Sequence, residues 1–304
     1  MTLPKKHHYI PAFYLKRWAN TNDCLVEFSR PYRGIVKPLR RHPDATGYVD
    51  RLYEMRGVQA AQAQDLERLF MSPVDSRASE ALEILERTDS TRSWNSGTRS
   101  AWSRFILSLL MRTPDDIEQL RRNISAEWTI TTAAEEDQYA QARGPEFPFR
   151  FAEYLRDVEH IEIDKAVSRV SRSLIDHAKI GEIINNMRWL ILETSNVDVE
   201  LLTSDRPILI SATLREHDAY IIMPVGPHKI FAAVHNEATA KRLVDQSIRA
   251  LVKSVNKLVV SHAVNYVYGR DDSQLRFIQK HMASRPQVSL LERLGRARAN
   301  AKST

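Results

Sequence analysis

Apolar and polar positions divide this chain into a short mixed beginning, a helical middle and a strand-rich end. Residues 7–10, His-His-Tyr-Ile, run into Pro11, which pushes Ile10 into extended backbone and itself suits the first position of a helix. A short helix from Pro11 to about Ala19 is expected, with Tyr14 and Trp18 four apart on one face and Asn20-Thr21-Asn22-Asp23 to stop it. Cys24–Ser29 and Gly34–Leu39 each alternate like a strand. Joined by Arg30-Pro31-Tyr32-Arg33, they predict a hairpin with Pro38 on a sheet edge.

From about Val58 to Thr88 the period becomes helical, with Leu66, Leu69, Phe70, Ala78, Leu82 and Leu85 in phase and a break expected near Ser72-Pro73. Trp102, Phe105, Ile106, Leu109 and Leu110 make one stripe over Thr98–Met111. The next helix starts at Pro114, where Asp115, Asp116 and Glu118 suit the positive end of the helix dipole. Another is expected over Asp164–Ile184, after an Arg143–Pro148 loop. Residues 187–193, 199–202, 208–210, 220–223 and 229–234 then read as strands, followed by a helix over about 237–255, strands at 258–260 and 264–268, and a last helix capped by Asp271.

This order predicts an α+β fold: a mixed, mainly antiparallel sheet built from the N-terminal hairpin and the C-terminal strands, with a central helical layer at about 58–184. One domain is expected over 1–284. Residues 285–304 form a basic tail in which Arg285, Arg293, Arg296, Arg298 and Lys302 face only Glu292, so little stability is expected from it.

Composition narrows the function. Of 304 residues, 44 are Lys or Arg and 38 Asp or Glu, a net charge of +6, which permits a nucleic-acid partner without requiring one. The lone Cys24 excludes an internal disulfide and any cysteine zinc cage, so a cytoplasmic location is expected. No secretory leader or membrane-spanning stretch is expected, because no apolar run is long enough. GxxxxGK, GxGxxG, GxSxG and HExxH patterns are all missing, which removes the common nucleotide-binding, serine-hydrolase and zincin routes.

Two segments stand out: His-His-Tyr-Ile-Pro-Ala-Phe-Tyr-Leu-Lys-Arg-Trp at 7–18, and Leu-Leu-Thr-Ser-Asp-Arg-Pro at 201–207, followed by Met-Pro-Val-Gly-Pro at 223–227. In sequence and order these resemble the signatures of a large bacterial family, the domain of unknown function DUF4238. The resemblance runs from His8 to about Tyr268. It puts His8, Pro11, Tyr14, Leu15, Asp205 and Pro207 in signature positions and implies no known reaction.

In extended backbone His7 and Tyr9 face one way and His8 and Ile10 the other, so one imidazole at most addresses a given site. His8 is the candidate, as general base or metal ligand; its plain alternative is a hydrogen bond to a turn carbonyl. Asp205, at a strand exit, is the candidate metal ligand, with Glu27 or Glu54 as a third, for Mg²⁺ or Mn²⁺. Its plain alternative is a turn-capping carboxylate before Pro207. Arg206 or Arg17 would stabilise phosphate charge. Lys5, Lys6, Lys16 and Arg17 beside Tyr9, Phe13, Tyr14 and Trp18 suggest nucleic-acid binding, against the plainer reading of a buried aromatic face edged by solvated cations.

Arg172 and His177 match an Arg-x4–6-His spacing resembling HEPN ribonucleases. Arg276 and His281 match as well, at a frequency chance explains. The leading expectation is therefore a nucleic-acid-directed phosphodiester hydrolase in a bacterial defence or toxin setting. The alternative is a non-catalytic sensing or protein/nucleic-acid-binding module, and no protein partner is identified.

Overall fold

A computed structural model describes residues 5–32, 34–87, 94–128, 131–211, 214–285, 289 and 292. Strand β1 (Lys6–His8) pairs antiparallel with β4 (Tyr48–Asp50), matching His8 to Tyr48. Just beyond, the N–H groups of Tyr9 and Ile10 both donate to the Gly47 carbonyl, at 2.9 and 3.0 Å. Gly47 sits at φ +68°, and a Cβ there would lie 2.8 Å from the Ile10 carbonyl oxygen, so glycine alone permits this approach. Pro11 then launches α1 (Ala12–Leu15), which tightens into a 3₁₀ turn at Lys16–Trp18 and buries Tyr14, Leu15 and Trp18.

The predicted hairpin forms as β2 (Leu25–Tyr32) and β3 (Ile35–Arg41), with Pro38 on the outer strand. It joins two strands from the other end of the chain, β6 (Thr203–Ser204) and β10 (Val267–Gly269), in the order β3-β2-β10-β6. A second sheet takes β5 (Arg188–Glu193), β7 (Leu209–Ile210), β8 (Tyr220–Gly226) and β9 (Lys229–Val234), in the order β5-β9-β8-β7. The α+β class holds, and every described pairing is antiparallel. The strands divide between two four-stranded sheets where one was expected.

Between the sheets in sequence come α2 (Ala60–Ala63), a π turn at Glu67–Met71, α3 (Ser72–Arg87), α4 (Ser96–Leu109), α5 (Pro114–Trp128), α6 (Ala133–Ala142), α7 (Phe151–Ile175) and α8 (Ala178–Asn186). Helices α9 (Glu237–Asp245), α10 (Ile248–His262) and α11 (Leu275–His281) follow. The break expected near Ser72-Pro73 takes the form of the π turn, which ends at Met71 just before α3 begins at Ser72, so Pro73 stands just after the widened turn. The helix expected over 164–184 starts earlier, at Phe151, and is interrupted at Asp176-His177.

Both faces of the second sheet are apolar. Trp189 and Phe231 on one face meet Trp102 of α4, with Trp189–Phe231 centroids at 5.1 Å and Trp102–Phe231 at 5.7 Å. Ile222, Ile230 and Ala232 on the other pack with Leu251, Val252, Val255 and Val259 of α10. That stripe explains why Leu258–Val260, expected as a strand, continues the helix: its β-branched residues extend the buried face of α10. Residues 199–202 form no strand. Irregular backbone there is satisfied by Asn256, whose side chain accepts from Leu202 N at 2.9 Å and donates to the Glu200 carbonyl at 2.9 Å. Most of the expected basic tail lies outside the described residues.

Candidate functional site

Across the first sheet, Leu39 opposes Glu27, Glu27 opposes Tyr268 and Tyr268 opposes Thr203, so pairing register places these side chains on one face. The opposite face carries Val26, Phe28, Val36 and Val267 and packs on Ile278 of α11. Over the Glu27–Tyr268–Thr203 row lies the His-His-Tyr-Ile-Pro segment. The Thr46 hydroxyl donates to the Glu27 carboxylate and stands 3.3 Å from the Tyr268 hydroxyl. Tyr9 hydrogen-bonds Tyr268, and burial raises its phenol, with the nearby Asp205, Tyr266 and Glu27 adding to the rise.

Tyr14 ties the two sheets together. Its hydroxyl donates to the Pro224 carbonyl in β8 and accepts from Thr203 in β6, both at 2.7 Å. Trp18, one turn on, donates its indole N–H to the Leu201 carbonyl at 2.7 Å.

The Asp205 carboxylate is buried and fully engaged. Oδ1 accepts from Val264 N at 2.9 Å, and Oδ2 accepts from Asn265 N at 2.6 Å and Tyr266 N at 3.0 Å, which fixes the turn feeding β10. Burial pushes this carboxyl up to about 6, against the downward pull of those three donors and Arg206. The Arg206 guanidinium makes a two-pronged pair with Asp116, at 2.7 and 3.0 Å. Asp116 stands in the first turn of α5, where Thr113 Oγ1 accepts from Asp116 N at 3.3 Å and donates to its carboxylate at 2.6 Å.

Of the two histidines, His7 is the deeper. Its Nδ1 accepts from Tyr53 N at 3.0 Å and its Nε2 bonds Gln64 Oε1 at 2.5 Å, an arrangement that fits the neutral Nε2–H tautomer. His8 leans on the Asp44 backbone and the Tyr48 ring, 5.5 Å between centroids. Burial lowers its pKa, partly opposed by the Asp44 carboxylate, and its Nε2 is buried with no hydrogen-bond partner. Glu27 and Asp205 therefore flank the tyrosines, whereas His8 faces the Asp44 side. Among the described residues no three His, Cys, Asp or Glu side chains converge in a metal-holding group.

Arg112 and Glu67 are the residues that sequence reasoning missed. The Arg112 side chain, wholly buried, donates Nε to the Tyr9 carbonyl at 3.0 Å and Nη1 to Asp75 at 2.8 Å. Burial raises the nearby Glu67 to about 7. A readable signal existed for Arg112, in the Arg-Thr-Pro-Asp-Asp run at 112–116 that starts α5.

The cations proposed for nucleic acid sit on the rim. Lys5 and Lys16 are exposed, Lys6 lies 4.7 Å over the Tyr48 ring, and Arg17 pairs with Glu86 at 2.9 Å. Tyr9, Tyr14 and Trp18 are buried and present no stacking face to solvent. His177 lines a cleft of about 820 Å³ with Arg104, Asp176 and Asn185. Arg172 lies instead over the Phe70 ring, 5.9 Å from its centroid, so the Arg172–His177 spacing does not build one site.

The fold and these contacts define an α+β protein whose N-terminal segment is bolted across two antiparallel sheets by buried hydrogen bonds. The chain belongs to the family described as protein of unknown function (DUF4238), whose sequence model matches residues 6–273. No curated protein and no solved structure matches it. Among the described residues, no helix is long and apolar enough to cross a membrane.

Proposed function

We propose that this protein binds nucleic acid without cleaving it. The observation that carries this reading is the engagement of Asp205: both carboxylate oxygens accept backbone N–H groups, and the adjacent Arg206 is paired to Asp116. A carboxylate that ligates a catalytic metal needs lone pairs facing solvent, and a guanidinium that stabilises a cleaved phosphate needs a free edge. The excess of cations, +6 over the chain, supports a polyanionic partner.

The test is incubation of the folded protein with labelled RNA, single-stranded DNA and duplex DNA across a series of divalent metals. Retention of intact strands is the expected result. The hydrolase reading keeps one specific support, the unpartnered Nε2 of His8, which is the atom a general base would use. Metal-dependent cleavage that His8→Ala abolishes at unchanged melting temperature would overturn the binding reading in its favour.

A further inference from the structure

Helices α5 and α7 present matching faces to a cleft of about 360 Å³. On α5, Glu118, Arg121, Arg122 and Ser125 recur at helical spacing; on α7, Arg156, His160 and Ile163 do the same, and Arg56 enters from the connection between β4 and α2. Four guanidiniums thus share one small cleft. Arg122 donates to Gln119 at 2.8 Å and Arg156 to the Ala152 carbonyl at 3.3 Å, while Arg56 and Arg121 are held by Asp164, one position beyond Ile163, with 2% of its side chain exposed. Its Oδ2 accepts both the backbone N–H and the Nε of Arg56 at 3.0 Å, and its Oδ1 accepts the Nε of Arg121 at 2.9 Å. These two arginines, with Asp164 as the shared partner, depress its carboxyl despite burial.

One buried carboxylate accepts the Nε of both arginines, with Arg56 Nη2 a further contact at 3.5 Å, and so fixes both planar groups at the wall of the cleft. Arg56 illustrates this, with 61% of its side chain exposed although its inner edge is pinned. Arg121 has only a loose second partner, Glu118 at 4.0 Å, and Arg122 reaches the same Glu118 at 3.8 Å. Four cations therefore face two carboxylates, Asp164 and Glu118, and the cleft keeps a surplus of positive charge. Fixed arginine forks match phosphate oxygens two at a time, and their pre-ordering lowers the entropy lost on binding.

We propose that the α5–α7 cleft is a phosphate site that seats the sugar–phosphate backbone of a nucleic acid. This rests on the binding reading above and supplies its location. Diester chemistry fits the cleft better than base recognition does, because among the described residues lining it there is no Phe, Tyr or Trp and four of the eight side chains are guanidinium donors.

The experiment titrates labelled single-stranded RNA and duplex DNA, at several salt concentrations, against the full chain and the double variant Arg122→Ala/Arg156→Ala. Arg56 and Arg121 are left intact because they partner the buried Asp164, and the melting temperature confirms that the variant folds. Affinity should fall at least about tenfold, and the slope of log affinity against log salt should shrink by roughly 1.4 for a single strand, two contacts at about 0.7 each. Wild-type protein that binds nucleic acid while the variant binds it equally, with equal salt slope, overturns the cleft and leaves the binding reading standing. No binding by wild type overturns both. Inorganic phosphate added to the wild type should compete only at high concentration; binding of phosphate without any oligonucleotide binding would overturn the proposal in favour of a small-anion site.

Discussion

Replacing Asp205 by Asn separates a structural carboxylate from a reacting one. The amide oxygen in the place of Oδ2 keeps the bonds from Asn265 N and Tyr266 N, but the amide NH₂ then faces the Val264 N–H, which lies 2.9 Å from Oδ1. One buried donor loses its acceptor, at a cost of about 1–3 kcal/mol. For a chain of this size that corresponds to a melting temperature roughly 2–6 °C lower. Asp205→Ala strands all three donors and should cost more, about 3–5 kcal/mol, the turn limiting the loss by opening to water. Calorimetry gives the shift, and hydrogen exchange should show faster exchange at Val264, Asn265 and Tyr266 in both variants. A variant Asp205→Asn that melts within a degree of wild type, with unchanged exchange, and yet loses nucleic-acid binding or any cleavage would refute the structural assignment. It would return Asp205 to the role of ligand.

Two further outcomes follow from the buried charges. Glu67 is raised from its ordinary 4.5 to about 7, so the folded state holds this proton more tightly than the unfolded state. Its contribution is then fully present below about pH 4.5 and is lost as pH rises through about 7, at most about 3 kcal/mol; Glu67→Gln should flatten the fall in denaturant midpoint between those limits, and an identical pH profile would contradict the assignment. Arg206→Met and Asp116→Asn should each destabilise by about 3–5 kcal/mol by leaving a buried charge unpaired, with the double variant costing clearly less than their sum; strictly additive losses in urea titrations would show that the pair is not coupled.

The fold was legible wherever a local pattern decided the element. The hairpin, α1, α4, α5 and the strands at 188–193 and 229–234 follow from alternation, from helical stripes and from prolines at helix starts. The hairpin does join C-terminal strands as expected; what the pattern did not show is that β5, β7, β8 and β9 form a sheet of their own. Strand β10 is three residues long and pairs on one side with β2, Val267 opposite Phe28, and on the other with β6, Val267 opposite Ser204, a partnership set by long-range packing. Alternation alone contains no such information. At the site, extended geometry separated His7 from His8 correctly; what it could not show is that Tyr53 and Gln64 approach His7 from another part of the chain, while the Nε2 of His8 stays without a partner. Asp205 and Arg206 were found by their setting in Thr-Ser-Asp-Arg-Pro, but their partners, residues 264–266 and Asp116, cannot be read from that motif.

The buried groups also separate an enclosed region from an open one. Tyr53, wholly enclosed, lies within electrostatic reach of Arg112, Glu67, Asp75 and Asp116. Arg112 pairs with Asp75 inside the helical layer and donates to the Tyr9 carbonyl, and Arg206 pairs with Asp116 of α5, so one hydrogen bond and one ion pair cross between the helical layer and the segments around Tyr9 and Asp205. Taking such charges out of water costs several kcal/mol per ion, recovered only when geometry and hydrogen bonds are nearly complete. A ligand that entered this region would have to break pairs whose strength depends on the exclusion of water. The α5–α7 cleft has the opposite character: Asp164 anchors Arg56 and Arg121, and Arg56 keeps 61% of its side chain exposed. An anion arriving there replaces water and breaks no buried pair. The same arginine–aspartate chemistry thus locks the interior around Tyr53 and, between α5 and α7, leaves Arg56 with 61% of its side chain exposed, the opening that the proposed phosphate site would use.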